Sequence, residues 1–305
     1  MQAELLERFR QRDRRALARV LSLLARGEEV ALPPAPAAAR VVAVTGPGGV
    51  GKSTLVGKLI EHFRTQGLTI AVLACDPQSP LSGGALLGDR FRMPSRPDDD
   101  GVYIRSLAAA SEQGPLAKHL DGMIQALAAF GFDIILVETA GAGQGDTAIR
   151  KLVDVLVLLL QPETGDDLQW EKAGVLEVAD VIAVHKADLP GAESAAAQVR
   201  SALDLASARP IPVLLASSRT GAGIPDLAAA VLAAPLRRDI APLASAELLQ
   251  ATQETLARRF RQLDATGDAA LQNLLTSWQQ GQLATPAASA ALLSLLAACH
   301  SDSPK

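Results

Sequence analysis

Residues Gly46-Pro47-Gly48-Gly49-Val50-Gly51-Lys52-Ser53 separate two segments of opposite character, and this constrains the chain more than any other stretch. Before it, Val41-Val42-Ala43-Val44 is a short, continuously apolar run that reads as a buried strand. After it, Thr54-Leu55-Val56-Gly57-Lys58-Leu59-Ile60 carries helical spacing. A strand, a glycine-rich turn and a helix opening on Gly-Lys-Ser build a cradle of backbone N–H groups at the positive end of a helix. Such a cradle fits the phosphates of a nucleoside triphosphate, held by Gly46, Gly48, Gly49, Val50, Gly51 and Thr54. Lys52 is placed to neutralise phosphate charge, and the Ser53 hydroxyl to bind Mg²⁺.

The same apolar pattern recurs along the chain, at 70–74, 134–137, 155–160, 181–184 and 213–215. Continuous runs of this kind, alternating with helical segments, predict an α/β fold with a mostly parallel sheet covered on both faces. Residues 5–26 read as helical, with Asp13 able to cap a second helix and Gly27 to end it. Pro33-Pro34-Ala35-Pro36 reads as a stiff linker. Beyond about Pro235 the strand signals stop, and three helical segments follow at about 246–263, 267–280 and 286–299. The expected organisation is a helical extension and linker over 1–38, a nucleotide-binding domain over 39–235, and a helical region over 236–305.

Composition narrows the function classes. A net charge of -4 gives no electrostatic case for nucleic acid or an anionic membrane surface. No apolar run reaches the roughly 18 residues that span a bilayer, and the start of the chain lacks the pattern of a secretory signal. Two cysteines, Cys75 and Cys299, give no disulfide framework, so a cytoplasmic protein is the expectation.

A bound triphosphate needs acids for its metal, and strand ends deliver them. One apolar run ends in Cys75-Asp76-Pro77, another in Glu138-Thr139-Ala140-Gly141. Asp76 and Glu138 fit the metal side of such a site, and Gly141 lets backbone approach the terminal phosphate. At the end of a third run, Val184-His185-Lys186-Ala187-Asp188 falls where guanine-specific proteins carry Asn-Lys-x-Asp. There an Asp accepts from the guanine N1 and amine while a Lys stem packs on the base. Lys186 and Asp188 are in register, with His185 in place of Asn, and Ser217-Ser218 stands where a backbone N–H reads the guanine O6.

With these residues the chain resembles the methylmalonyl-CoA-mutase-associated GTPases of the MeaB/ArgK type, relatives of the nickel-insertion GTPases. The resemblance covers about 40–235. Its specific stretches are Asp76-Pro77-Gln78-Ser79-Pro80, Ser82-Gly83-Gly84-Ala85-Leu86-Leu87-Gly88-Asp89-Arg90, Glu138-Thr139-Ala140-Gly141-Ala142-Gly143-Gln144, and Gly165-Asp166-Asp167-Leu168-Gln169 with Lys172. It implies a GTP/GDP and Mg²⁺ site with Ser53, Asp76, Asp89 and Glu138 on the metal side. No Gln directly follows the Glu138-Thr139-Ala140-Gly141 turn to orient an attacking water, and Gln144 is the nearest one along the sequence. Gln169 and Lys172 would work in a nucleotide-responsive switch that touches the partner. The implied partner is an adenosylcobalamin-dependent acyl-CoA mutase, whose cofactor loading and protection the GTPase assists, and the implied assembly is a homodimer through the C-terminal helices. Departures from the family's pattern include His185 for Asn and Trp170 for Gly.

Two other readings share the loop. A nickel-delivery GTPase would need a Cys/His cluster for its cargo, and His62, His119, His185, His300 and the two cysteines form no such tract. An ATP-using small-molecule kinase would need an acceptor pocket and a base near the terminal phosphate, and neither is evident in the sequence.

Overall fold

Backbone hydrogen bonding between apolar runs produces a parallel sheet around which the larger of two compact units is built. A computed structural model describes residues 2–77, 99–109, 119–139, 149–162, 176, 178–206, 210–235 and 245–298. Its strands are β1 (Arg40–Thr45), β2 (Ile70–Pro77), β3 (Val102–Ala109), β4 (Ile134–Glu138), β5 (Val155–Leu160), β6 (Val181–His185) and β7 (Val213–Ala216). They form a seven-stranded sheet in the order β3-β2-β4-β1-β5-β6-β7. All pairings are parallel, and β1 is central, with Val44 opposite Glu138 on one side and Thr45 opposite Leu158 on the other. β1, β4, β5 and β6 are almost wholly buried, which is why they read as unbroken apolar runs rather than alternating ones.

The helices of this part are α1 (Gln2–Arg10), α2 (Arg14–Ala25), α3 (Lys52–Thr65), α4 (Leu120–Phe130), α5 (Ala192–Ala206) and α6 (Ile224–Ala233). The Asp13 carboxylate caps α2 by accepting from the Arg15 and Ala16 amides, and Gly27 follows the helix with φ of 76°. α1, α2 and α4 share one face of the sheet, where Leu17, Val20, Leu21, Met123 and Leu127 pack with Val41 and Ile135. α3 and α6 share the other, where Leu55, Leu59, Leu227 and Val231 pack with Val42, Leu136 and Val157.

The strand β3 was absent from the sequence expectation. It lies on the sheet edge, its residues 102–106 are only half-buried, and Arg105 interrupts its apolar character. Arg105 is accommodated because its guanidinium donates to Ala18 O and Ser22 Oγ of α2. An edge strand sheltered by a polar tether gives neither a continuous nor a strictly alternating signal.

The chain divides into two compact units, 1–239 and 240–305. The second unit holds α7 (Ser245–Thr266), α8 (Ala269–Gln279) and α9 (Thr285–Ala298). Asp268 caps α8 through the Leu271 amide, and Arg259 of α7 donates to Leu296 O of α9 at 2.7 Å. Leu271 and Leu296 are buried within the unit, whereas Trp278 and Leu293 are exposed.

Candidate nucleotide site

The carboxyl end of β1 runs into the glycine-rich turn, and α3 begins at Lys52. Two glycines of the turn are structurally required. Gly46, with φ of 152°, lies so close to the next strand that a Cβ there would sit 2.5 Å from Leu159 O. Gly51 is the N-cap of α3 in the left-handed region, φ 97°, where an L side chain is strained. The Lys52 ammonium is buried and turned back along the loop, donating to Gly46 O at 2.9 Å and Pro47 O at 3.0 Å. The Ser53 hydroxyl, one residue on, donates to Glu138 Oε1 at 2.7 Å. Behind this pair, Thr139 Oγ1 donates to Thr45 Oγ1 at 2.9 Å, bolting the ends of β4 and β1 together.

Ser53 and Glu138, named from parts of the sequence 85 residues apart, therefore meet at one strand end in a buried setting, with buried Lys52 adjoining Ser53 in the chain. A carboxylate and a hydroxyl side by side are hard oxygen donors, the chemistry Mg²⁺ prefers. Among the described residues no group of three His, Cys, Asp or Glu side chains could hold a metal ion. A cation here would draw on Ser53, Glu138 and the phosphates themselves. Asp76 is described as backbone at the end of β2, beside β4, but its side chain lies outside the described residues. Asp89, Gly141, Gln144, Gln169 and Lys172 also lie outside them.

On the other side of the loop stand the residues named for base recognition. Lys186, at φ 57°, lays its side chain over the loop and donates to Gly49 O at 3.0 Å and to Gln161 Oε1 at 2.8 Å. One Asp188 oxygen accepts from the Ser217 hydroxyl and the other from Arg219 Nε at 2.7 Å. The Ser217 hydroxyl, and then Arg219, hold the Asp188 carboxyl below its ordinary pKa, so it is anionic and acceptor-only near neutrality.

Two sequence expectations look different in three dimensions. His185 is buried, with Nδ1 2.7 Å from Val50 O and Nε2 2.7 Å from Ser218 Oγ, so both ring nitrogens face protein. The amides of the two serines also have protein acceptors: Ser217 N–H donates to Ala222 O at 2.9 Å, and Ser218 N–H points to His185 Nε2 at 3.4 Å. Three further contributors went unnamed from sequence, Gln161, Arg219 and Thr45, and Thr139 was quoted only as part of its run. Gln161 follows directly on an apolar run, and strand-end position is the signal that could have found it.

Comparison with known proteins adds descent to this geometry. A putative GTPase of Pyrococcus abyssi is 46% identical over 210 residues, covering 67% of this chain and 65% of that protein. A fused isobutyryl-CoA mutase of Cupriavidus metallidurans is 40% identical over 193 residues, or 60% of this chain and 18% of that much longer protein. The chain thus spans less than two thirds of either relative's length. A solved structure named LAO/AO transport system kinase shares the fold, with a TM-score of 0.59 at 22% identity over 97% of each chain. The sequence profile of the methylmalonyl-CoA mutase-associated GTPase MeaB matches residues 22–259, from α2 into α7. With a match running through most of its length, the chain belongs to the MeaB family of mutase-associated P-loop GTPases.

Proposed function

We propose that the chain binds GTP with Mg²⁺, hydrolyses it slowly, and uses the nucleotide state to assist cofactor loading and protection of an adenosylcobalamin-dependent acyl-CoA mutase. The observation that carries this reading is the buried hydrogen bond of Ser53 to Glu138 at the head of α3, beside Lys52 held inside the loop, in a chain of this family. The partner class is supported by relatives in which the matching segment is part of a fused isobutyryl-CoA mutase. A homodimer through the C-terminal unit belongs to the same proposal, and exposed Trp278 and Leu293 suit it.

In this mechanism Lys52 exchanges its bonds to Gly46 O and Pro47 O for phosphate oxygens. Little reorganisation is needed, because the ammonium already lies inside the loop. Ser53 and Glu138 would hold the cation, with Asp76 and Asp89 assisting. A bound Mg²⁺ would offset negative charge on the phosphates. Lys186 clamps the loop from above through Gly49, and Asp188, kept ionised, accepts from the guanine edge. Gln144 and Gly141 attend the attacking water and the terminal phosphate, and Gln169 and Lys172 signal to the mutase.

Titration calorimetry of the whole chain with GDP, ADP and their non-hydrolysable triphosphates, with and without Mg²⁺, tests the assignment. Guanine nucleotides are expected to bind and adenine nucleotides to bind far more weakly; the reverse order would sink the GTPase reading. Lys52→Ala is expected to weaken triphosphate binding by roughly tenfold to hundredfold, the loss of a charge-assisted hydrogen bond.

A further inference from the structure

His185 does work that its place in the sequence does not announce. Its ring lies beneath the phosphate loop, only 3% exposed, and touches two segments far apart in the chain. A carbonyl oxygen only accepts, so Nδ1, 2.7 Å from Val50 O, carries the ring proton. A backbone amide only donates, so Nε2, facing the Ser218 hydroxyl at 2.7 Å and the Ser218 amide at 3.4 Å, is bare. One neutral tautomer satisfies all three contacts. The ring also abuts Gly51, where a Cβ would lie 2.6 Å from Cε1 and 2.7 Å from Nδ1.

We propose that neutral, Nδ1–H His185 is a positioning residue that latches the Val50–Gly51 end of the phosphate loop to the Ser217–Ser218 loop, so that nucleotide affinity falls in mildly acidic solution. The proposal rests on the reading of the loop as a nucleotide site and deepens it. With both nitrogens committed to protein, His185 has none left for the base, and discrimination among bases falls to Asp188.

The charges around the ring favour the neutral state. Burial is the largest influence and pushes the imidazole pKa below its ordinary value, with Lys186 adjoining in the same sense. The Val50 carbonyl and the Asp188 carboxylate act the other way, and Asp188 is itself paired with Arg219. From the phosphate loop, the nearby ammonium of Lys52 is directed at Gly46 O and Pro47 O. Adding a proton to Nε2 sets an N–H against the Ser218 N–H in a buried place, which opposes the latched geometry.

The test compares wild type, His185→Asn and Ser218→Ala by GDP–Mg²⁺ calorimetry from about pH 8 to about pH 5.5. Asn keeps a donor and an acceptor but does not titrate. Once the solution is more acidic than the ring's pKa, wild-type affinity is expected to fall by up to about tenfold per pH unit relative to His185→Asn, the linkage of one proton. Ser218→Ala is expected to weaken binding already at about pH 8. Equal pH slopes in wild type and His185→Asn would overturn the latch, because phosphate titration is common to both. Nitrogen-15 spectra of the free protein at about pH 8 give a readout that needs no nucleotide. A protonated Nδ1 supports the latch, and a protonated Nε2 overturns it. If GDP binds to no form at any pH, the nucleotide reading fails, and these spectra with the pH dependence of melting still judge the latch.

Discussion

The Ser53 hydroxyl donates a 2.7 Å hydrogen bond to Glu138 Oε1, joining the first turn of α3 to the last residue of β4. This bond makes opposite predictions for its two ends. Glu138→Gln keeps the shape and an acceptor but removes the charge. It is expected to leave the melting curve close to wild type while lowering single-turnover hydrolysis by about a hundredfold. Ser53→Ala leaves a buried carboxylate short of a donor, so it is expected to destabilise the free protein by about 1–3 kcal/mol as well as raising the Mg²⁺ requirement. Denaturant titration and Mg²⁺-dependent hydrolysis read both, and wild-type turnover in Glu138→Gln would remove that residue from the mechanism.

Asp188 supplies a pH prediction. Its folded-state pKa is depressed below the ordinary carboxyl value, first by the Ser217 hydroxyl and then by Arg219. A depressed carboxyl contributes stability above its unfolded pKa and loses it as pH falls through the folded one. Ser217→Ala should bring the folded pKa back toward the unfolded value, so the Asp188 contribution shrinks and its acid loss moves to higher pH. Thermal melts of wild type and Ser217→Ala between about pH 5 and about pH 2 check this, and coincident acid limbs would refute it.

At the opposite ends of the strands, Asp180 holds a buried junction between β5 and β6. Its carboxylate accepts from the Leu156 amide at 2.9 Å and lies 3.4 Å from the Arg150 guanidinium, with the Asp180 side chain 1% exposed. Removing one partner of a buried pair strands the other, so Asp180→Ala is expected to cost about 3–5 kcal/mol in urea unfolding. The pair is remote from the glycine loop, so GDP affinity of the folded fraction should stay at the wild-type value. A large loss of affinity without loss of stability would contradict that division.

The phosphate loop and the central strands were legible because their signals are local: glycines where φ is positive, and apolar runs where both faces are covered. The convergence of Ser53 and Glu138 was legible too, since parallel strands deliver their carboxyl ends to one edge. What escaped was decided by neighbours distant in sequence. Arg105 made β3 unreadable until α2 supplied Ala18 O and Ser22 Oγ. His185 reads as a departure from Asn until the Val50 carbonyl and Ser218 are seen on either side of it. Gln161 has no motif at all, and only the Lys186 ammonium gives it a purpose.

The strand order has a consequence for how this molecule can signal. β1 alone stands between the strand that ends in Glu138 and those that lead to Gln161 and His185. In the proposed mechanism the cation side and the base side would thus grow from opposite flanks of one strand, and the glycine loop is the piece both flanks grip: Ser53 by Glu138, Gly49 by Lys186, Val50 by His185. In the proposed mechanism the loop would therefore be a relay as well as a seat, its stiffness setting how faithfully the state of the phosphates is felt at the base.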